Sequence, residues 1–230
     1  MKISYGITVH DEQRELERLL SKLLVGIDEQ DEVVICVDGN HKGVKEVIEL
    51  YSIDSRVIHY NRKLDGNFAD HKNSVIEKST GDYIIIQDAD LEYDPSDYSK
   101  LLDKAIKDNE LVVYGSRILN KKNKYSTLSF YLGGLLVTFF TNLLFKNSHL
   151  TDQPTCYKLF KSEIIKNINL KSKGFEFCSE VTAKILKKNI KIAEIPINYY
   201  PRKKKDGKKI KWTDGLIALK TLIKCKLIND

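Results

Sequence analysis

No Cys-x-x-Cys pair occurs anywhere in the 230 residues. The four cysteines, Cys36, Cys156, Cys178 and Cys225, lie far apart. That spacing argues against a thiolate zinc site and a disulfide framework, and leaves reduced thiols in a reducing compartment as the expectation. No internal period of solenoid length recurs, which excludes a repeat array. The apolar run 3–9 is short and passes directly into His10-Asp11-Glu12, so it is expected to be a first strand and not a secretory leader. A cytoplasmic protein is therefore expected. His41, His59, His71 and His149 have no metal-cluster spacing, and Asn-Ser-His at 147–149 is no glycosylation acceptor. With 42% hydrophobic and 30% charged residues the chain reads as globular, with nothing collagenous or disordered about it.

Excess charge is also missing from most of the chain. The net charge is +6, and the segment 201–211 (PRKKKDGKKIK) supplies all of it. One basic loop on an otherwise neutral chain points to a local anionic partner such as phosphate or a membrane surface. Residues 128–145 (LSFYLGGLLVTFFTNLLF) hold no charge at all. This is the lower edge of a membrane span. Ser129, Thr138, Thr141, Asn142 and the Gly133-Gly134 pair interrupt it, and a lone span would leave soluble pieces on opposite sides. The expectation is a helix that packs on the domain or lies at the membrane surface.

What is present is alternation. Residues 2–9 and 32–37 are short Val- and Ile-rich runs, and 56–60 and 82–87 are two more. Between them lie helical stripes: Leu16, Leu19, Leu20, Leu23 and Leu24, then Val44, Val47, Ile48 and Tyr51, then 67–78. Gly81 is expected to end the last of these helices. Further on, 111–115, 157–160 and 190–197 read as strands. Segments 179–187 and 213–227 read as helices, the latter capped near Thr213 or Asp214. Trp212 reads as a packing residue. The order predicts a single α/β domain with a mostly parallel, Rossmann-like sheet flanked by helices.

In such sheets ligands sit at the carboxyl ends of the strands. Three acidic loops follow strands there: His10-Asp11-Glu12, Asp38-Gly39-Asn40, and Asp88-Ala89-Asp90-Leu91-Glu92. Like charges gathered at one edge repel unless a cation sits among them. In an extended segment alternate residues point the same way, so Asp88 and Asp90 can face one cation, with Glu92 as a third oxygen donor. Hard oxygen ligands select Mg²⁺ or Mn²⁺. A diphosphate would complete the coordination, and the metal would offset charge on a leaving nucleoside diphosphate. The competing reading is an acidic turn that caps the next helix, with Pro95 in its first turn.

These motifs resemble the family-2 glycosyltransferases of the A-type fold, which are inverting enzymes, and within them the dolichyl- and polyprenyl-phosphate sugar synthase group. The resemblance is carried by Thr8-Val9-His10-Asp11-Glu12, Asp38, TGDYIIIQDADLEYDP (80–95), Gly115-Ser116-Arg117, TDQPTCYKLF (151–160), GFEFCSEVTAKI (174–185), IAEIPINYYPR (192–202) and GKKIKWTDG (207–215). It implies a nucleotide-sugar-binding half, 1–115, and an acceptor-binding half, 116–230, in one continuous domain. Thr8, His10, Glu12, Asp38, Lys72 and Asp88 would then frame a GDP- or UDP-sugar. Asp88, Asp90 and Glu92 would hold Mg²⁺ or Mn²⁺. Arg117 and Arg202 would face phosphate oxygens, where a planar fork suits them. The basic loop, Lys208 included, would close over the diphosphate and exclude water.

The acceptor decides whether a base is needed. A polyprenyl phosphate is already an anion, whereas a sugar hydroxyl of a polysaccharide or glycolipid needs a positioned carboxylate. Asp152, Glu176 and Glu180 are the candidates. The resemblance favours the lipid phosphate, with the enzyme on the inner membrane face. A nucleic-acid-binding module would leave the acidic edge unexplained, since those acids repel a phosphate backbone. Nucleic acid is therefore not an expected partner. A nucleotidyltransferase would share the metal but release pyrophosphate.

Overall fold

Strand side chains alternate between two apolar faces, and that alternation builds the molecule. The computed structural model describes residues 1–62, 68–146, 148–172, 174–202 and 211–228. Its strands are β1 (Ile3–Val9), β2 (Glu32–Asp38), β3 (Val57–Arg62), β4 (Tyr83–Asp88), β5 (Val112–Ser116), β6 (Lys158–Lys161) and β7 (Ala193–Pro196). They form one sheet in the order β3-β2-β1-β4-β6-β5-β7. Every neighbouring pair is parallel except those of β6, which runs antiparallel to both β4 and β5.

Helices cover both faces, as the βαβ order predicts. Ile3, Tyr5, Ile7, Val33, Ile35, Ile85 and Val113 meet the buried stripes of α1 (Gln13–Gly26), α2 (Lys42–Tyr51) and α4 (Tyr98–Lys107) on one side. Cys36, Ile84, Ile86, Val112, Tyr114 and Phe160 point the other way. They meet α3 (Phe68–Lys78), α6 (Ser162–Lys166) and α7 (Phe177–Lys187). The leucine stripe of α1 is core, with Leu16, Leu19 and Leu20 fully buried. A third cluster joins α7 to α5 (Leu128–Leu144) and α8 (Trp212–Leu227) through Val137, Ala183, Leu186 and Leu222. Among the described residues no helix is long and apolar enough to cross a membrane. The apolar segment is α5, and it packs on the domain.

Three local expectations are corrected. Gly81 does not cap α3, which ends at Lys78. A Cβ at Gly81 would sit 2.7 Å from the backbone nitrogen of Ser4 and 2.8 Å from the oxygen of Lys2. Close approach to the first strand, not a helix end, is why glycine stands there. The cap of α8 is Lys211, whose N–H donates to the Asp214 carboxylate at 2.6 Å, so Asp214 reaches back from the first turn. Trp212 is 77% exposed and packs in no core.

Candidate active site

The antiparallel strand sets up the site. A parallel strand delivers the loop that leaves it to the carboxyl edge, whereas an antiparallel neighbour delivers the loop that enters it. Residues 152–157, just ahead of β6, therefore lie beside the residues that follow β4 and β5. Thr8 and Asp88 are register partners on β1 and β4, and the Thr8 hydroxyl donates to Asp88 Oδ1 at 3.3 Å.

The acidic motif is not extended. Asp88 is the last residue of β4, and Leu91 adopts φ 56°, a left-handed conformation unusual for a leucine. That turn brings the Asp90 carboxylate back to accept the N–H of Glu92 at 3.1 Å. Asp90 and Glu92 share a face because of this turn and not through strand alternation. Asp94, not the Asp88–Asp90 pair, caps the short helix at Pro95–Asp97, accepting from the Ser96 N–H at 3.0 Å.

Each acid of the motif has a protein cation beside it. Lys72 Nζ, buried, lies 3.0 Å from Asp88 Oδ1 and 5.5 Å from the Phe177 ring centroid. Burial works against the Lys72 charge, but Asp88 together with Cys156 and Cys178 outweighs it and raises the ammonium above its ordinary range. Arg202 donates from Nη2 to Asp90 Oδ2 at 2.5 Å, and from its backbone N–H and Nε to Glu92 Oε1 at 3.0 and 3.4 Å. Glu92 Oε2 accepts the Tyr199 hydroxyl at 2.9 Å. Burial and the charge of Asp88 push Asp90 up to about 7, against the pull of Arg202. Glu12 adds to the negative field on Arg202 and accepts the N–H of His10 at 2.8 Å. The His10 ring meets His41 edge-on, centroids 4.7 Å apart.

Among the described residues no three carboxylate, histidine or cysteine side chains gather closely enough to hold a metal by themselves. Of the expected trio of Asp88, Asp90 and Glu92, Glu92 has its oxygens on Tyr199 and Arg202, and Asp90 likewise has its oxygens on the Glu92 N–H and Arg202. The carboxylates of Asp88 and Asp90 are hard oxygen donors of the kind a divalent cation takes when it shares its coordination with a diphosphate.

Arg117 and Asp152 come together. Asp152 Oδ2 accepts the backbone N–H and Nε–H of Arg117, both at 2.8 Å, and Oδ1 accepts from Nη2 at 2.7 Å. The Arg117 guanidinium lies over the Tyr199 ring at 5.2 Å. Burial disfavours its charge, but Asp152, with Tyr93 and Tyr199, outweighs that and raises it above its ordinary range. Glu194 fixes the same loop by accepting from the N–H and hydroxyl of Thr151, both at 2.7 Å, and from the Asp152 N–H at 2.9 Å. Glu180 is also engaged, taking the N–H groups of Lys171 and Ser172 and the Lys184 ammonium at 2.9 Å. Glu176 accepts the Gly174 N–H at 3.2 Å.

Tyr199, Glu194, Lys158 and Tyr93 were not singled out in the sequence, although 192–202 was recognised as a motif. The alternation of that motif offered a weak signal, with Glu194 two residues after Ile192 in a strand otherwise apolar. Lys208 and the loop 203–210 lie outside the described residues, as does the side chain of Asp38.

A family model, glycosyl transferase family 2, matches residues 4–168. The chain belongs to that family. Relatives of the chain include the low-salt glycan biosynthesis hexosyltransferase Agl6 of Haloferax volcanii. It is 30% identical over 55% of this chain and 31% of its own length. A UDP-N-acetylglucosamine–dolichyl-phosphate N-acetylglucosaminyltransferase of Methanococcus voltae is 33% identical over 50% of this chain and 47% of its own. A dolichol-phosphate mannosyltransferase of Pyrococcus furiosus is 25% identical over 90% and 59%. The chain thus spans less than two thirds of the length of each. Glucosyl-3-phosphoglycerate synthase of Mycobacterium tuberculosis, solved with UDP, superposes with a TM-score of 0.72 at 12% identity, over 100% of this chain and 81% of that one. That likeness is one of fold, and it agrees with the A-type fold expected from the sequence.

Proposed function

We propose that the chain transfers a sugar from a GDP- or UDP-sugar to a polyprenyl phosphate, with inversion and with Mg²⁺ or Mn²⁺. The observation that carries the choice of acceptor is the engagement of every candidate base. Asp152 accepts three N–H groups from Arg117, and Glu180 and Glu176 are held by loop N–H groups. A carboxylate so held is a poor proton acceptor, which disfavours a neutral hydroxyl acceptor. A lipid phosphate already carries the charge it needs to attack. Dolichyl-phosphate acceptors in the names of two relatives support the same reading.

In this reading a phosphate oxygen attacks the anomeric carbon from the face opposite the diphosphate. The bond to the leaving oxygen breaks, its electron pair goes to the nucleoside diphosphate, and the configuration inverts. A bound Mg²⁺ or Mn²⁺ would offset charge on that diphosphate; solved structures of the mycobacterial synthase hold Mn²⁺ or Mg²⁺ with UDP. Asp90, with Asp88 behind it, would hold such an ion. Lys72 fixes Asp88. Arg202 would exchange its hold on Asp90 for the phosphates as the donor arrives. Arg117, kept flat over Tyr199 by Asp152, would meet the acceptor phosphate.

The acceptor's apolar tail calls for an apolar surface. Leu128, Leu132, Leu136, Phe139 and Leu143 form an exposed stripe along α5. On α8, Trp212, Leu216, Ile217, Ile223 and Leu227 are exposed among Lys220, Lys224 and Lys226. α5 is tied to the loop that carries Asp152: Asn142 Nδ2 donates to the Leu150 oxygen at 2.8 Å, and the Gln153 N–H donates to the Thr138 hydroxyl at 3.1 Å. An apolar, lysine-edged face of this kind suits the inner membrane surface.

The test is transfer of labelled sugar from GDP-mannose, UDP-glucose and UDP-N-acetylglucosamine. A short polyprenyl phosphate and an oligosaccharide would each be offered as acceptor, with and without Mn²⁺, using wild type and Asp90→Ala. Metal-dependent transfer to the lipid phosphate, lost in the variant, is the expected result. Transfer to the oligosaccharide alone would overturn the acceptor, and no transfer with any donor would overturn the activity.

A further inference from the structure

Two thiols sit under the site, and the proposed reaction uses neither. Cys156, in the loop that enters β6, and Cys178, in the first turn of α7, have sulfurs 3.9 Å apart. Cys178 is buried, and Cys156 is partly exposed. Two buried lysines flank the pair. Lys158 Nζ lies 3.3 Å from the Tyr114 ring centroid and donates to the Gln153 oxygen at 3.0 Å. Lys72 lies on the other side, against Asp88 and Phe177.

The surroundings divide the two thiols. Either sulfur can donate in the contact between them, and Cys178 also donates to the Thr155 oxygen at 3.5 Å; the contact with Cys156, against the cost of burial, moves Cys178 down, with Lys158 and Lys72 pulling the same way. The same contact, with burial, moves Cys156 up. The start of a helix also favours a thiolate, and Cys178 is the second residue of α7. Burial meanwhile lowers Lys158 to about 8. Two sulfurs in contact, one of them at the start of a helix and both flanked by lysines, make the arrangement of a dithiol and not of two separate core cysteines.

We propose that Cys156 and Cys178 are a reversible modification site, closing to a disulfide when the protein meets peroxide. The Cys178 thiolate attacks one peroxide oxygen, and hydroxide leaves, giving a sulfenic acid. The Cys156 thiol then attacks that sulfur, and water leaves. Overall two thiols lose two protons and two electrons, and one hydrogen peroxide becomes two waters. The sulfurs must approach from contact to the roughly 2.0 Å of a disulfide. Cys156 lies four residues from Asp152, and Cys178 is next to Phe177, so that movement pulls on both the Arg117–Asp152 clamp and the Lys72–Asp88 pair. Displacements near 1 Å at such groups cost roughly a hundredfold in rate. The oxidised protein is therefore the slow form.

The test uses the whole chain and has two arms. Protein is treated with hydrogen peroxide, remaining thiols are alkylated, and peptides are mapped by mass. The expected result is a linked pair of Cys156 and Cys178 peptides that dithiothreitol separates, with Cys36 and Cys225 alkylated. In Cys156→Ser the link disappears and dimedone traps a sulfenic acid at Cys178. Preferential oxidation of Cys225, or no linkage in protein whose circular dichroism is unchanged, overturns the site. The second arm rests on the proposed transferase reading: sugar transfer falls by roughly ten- to a hundredfold on oxidation and returns with dithiothreitol. A disulfide that forms while transfer is unchanged overturns the link to the active site. A chain without transferase activity fails that reading and leaves the peptide map to decide the dithiol by itself.

Discussion

At the scale of single residues, partners decide roles. Asp152 looked like a base because it stands in a loop near the acceptor side, yet three of its hydrogen bonds come from one arginine. A catalytic base would cost roughly 10²–10⁴-fold when neutralised and would remove the acid limb of the pH profile. A clamp behaves differently. Asp152→Asn is expected to lower kcat/KM by about tenfold, an effect on Arg117 alone, with the pH profile unmoved. Asp152→Ala is expected to cost roughly 3–5 kcal/mol in urea unfolding, because Arg117 loses its buried partner. Glu32 offers a pH test away from the site. Burial alone would raise its carboxyl, but Lys2, Ser4 and Thr80 outweigh burial and hold it below the ordinary value. Its Oε1 accepts the Ser4 hydroxyl at 2.6 Å and the Thr80 N–H at 2.5 Å, and its Oε2 lies 2.6 Å from Lys2 Nζ. A depressed carboxylate contributes stability above its unfolded value, near 4.3, and loses it as pH falls through the folded one. Glu32→Gln should cost about 2 kcal/mol at pH 7. It should also flatten the fall in stability below pH 4.3, as read from urea midpoints across pH.

At the scale of elements, close approach fixes which helix meets which strand. A Cβ built on Gly6, in β1, would sit 2.2 Å from Val75 Cγ1 on α3. Both positions are buried, so the valine fills the room that the glycine leaves. Gly6→Ala should destabilise by roughly 1–3 kcal/mol through overpacking. Val75→Ala in the same molecule should recover part of that loss, because the clash is with the removed methyl. Equal or greater destabilisation in the double variant would show that the strand needs glycine for its backbone instead. Much of this level was legible beforehand. Period-two runs and leucine stripes located the strands and helices of the first half, and the acids after β1 and β4 were placed correctly at the carboxyl edge of the sheet. The direction of β6 was not legible, because Lys158–Lys161 is too short to carry a directional pattern. Nor was the turn at Leu91, since a leucine gives no local warning of a left-handed backbone. The contacts of Glu92 were not legible for a related reason. Its partners, Tyr199 and Arg202, come from a segment more than a hundred residues later, and no spacing rule connects the two.

At the scale of the whole molecule, the unusual feature is where apolar side chains remain outside. Leu132, Leu136 and Phe139 on α5 are 52%, 50% and 60% exposed, although they share a helix with buried Val137 and Thr141. Side chains this exposed contribute little to folding. Replacing all three by serine should leave the melting temperature within a degree or two of wild type, in the range of ordinary surface changes. Insertion into a bilayer surface is another matter, since each such side chain gains roughly 1.5–3 kcal/mol on leaving water. Even about 1 kcal/mol apiece, for three side chains, amounts to roughly a hundredfold in binding. The lysines of α8 add attraction to anionic lipid of about 1 kcal/mol each near the surface, screened over about 8 Å at physiological salt. Sedimentation with vesicles of phosphatidylcholine, with and without phosphatidylglycerol, separates these contributions. Wild type should pellet with the anionic vesicles and less so in high salt, and the triple serine variant should stay in the supernatant under both conditions. If the variant still pellets, and instead passes from dimer to monomer in analytical ultracentrifugation, the face belongs to a second copy of the chain. A lipid-phosphate acceptor, as proposed for this chain, would then have to reach Arg117 by another route.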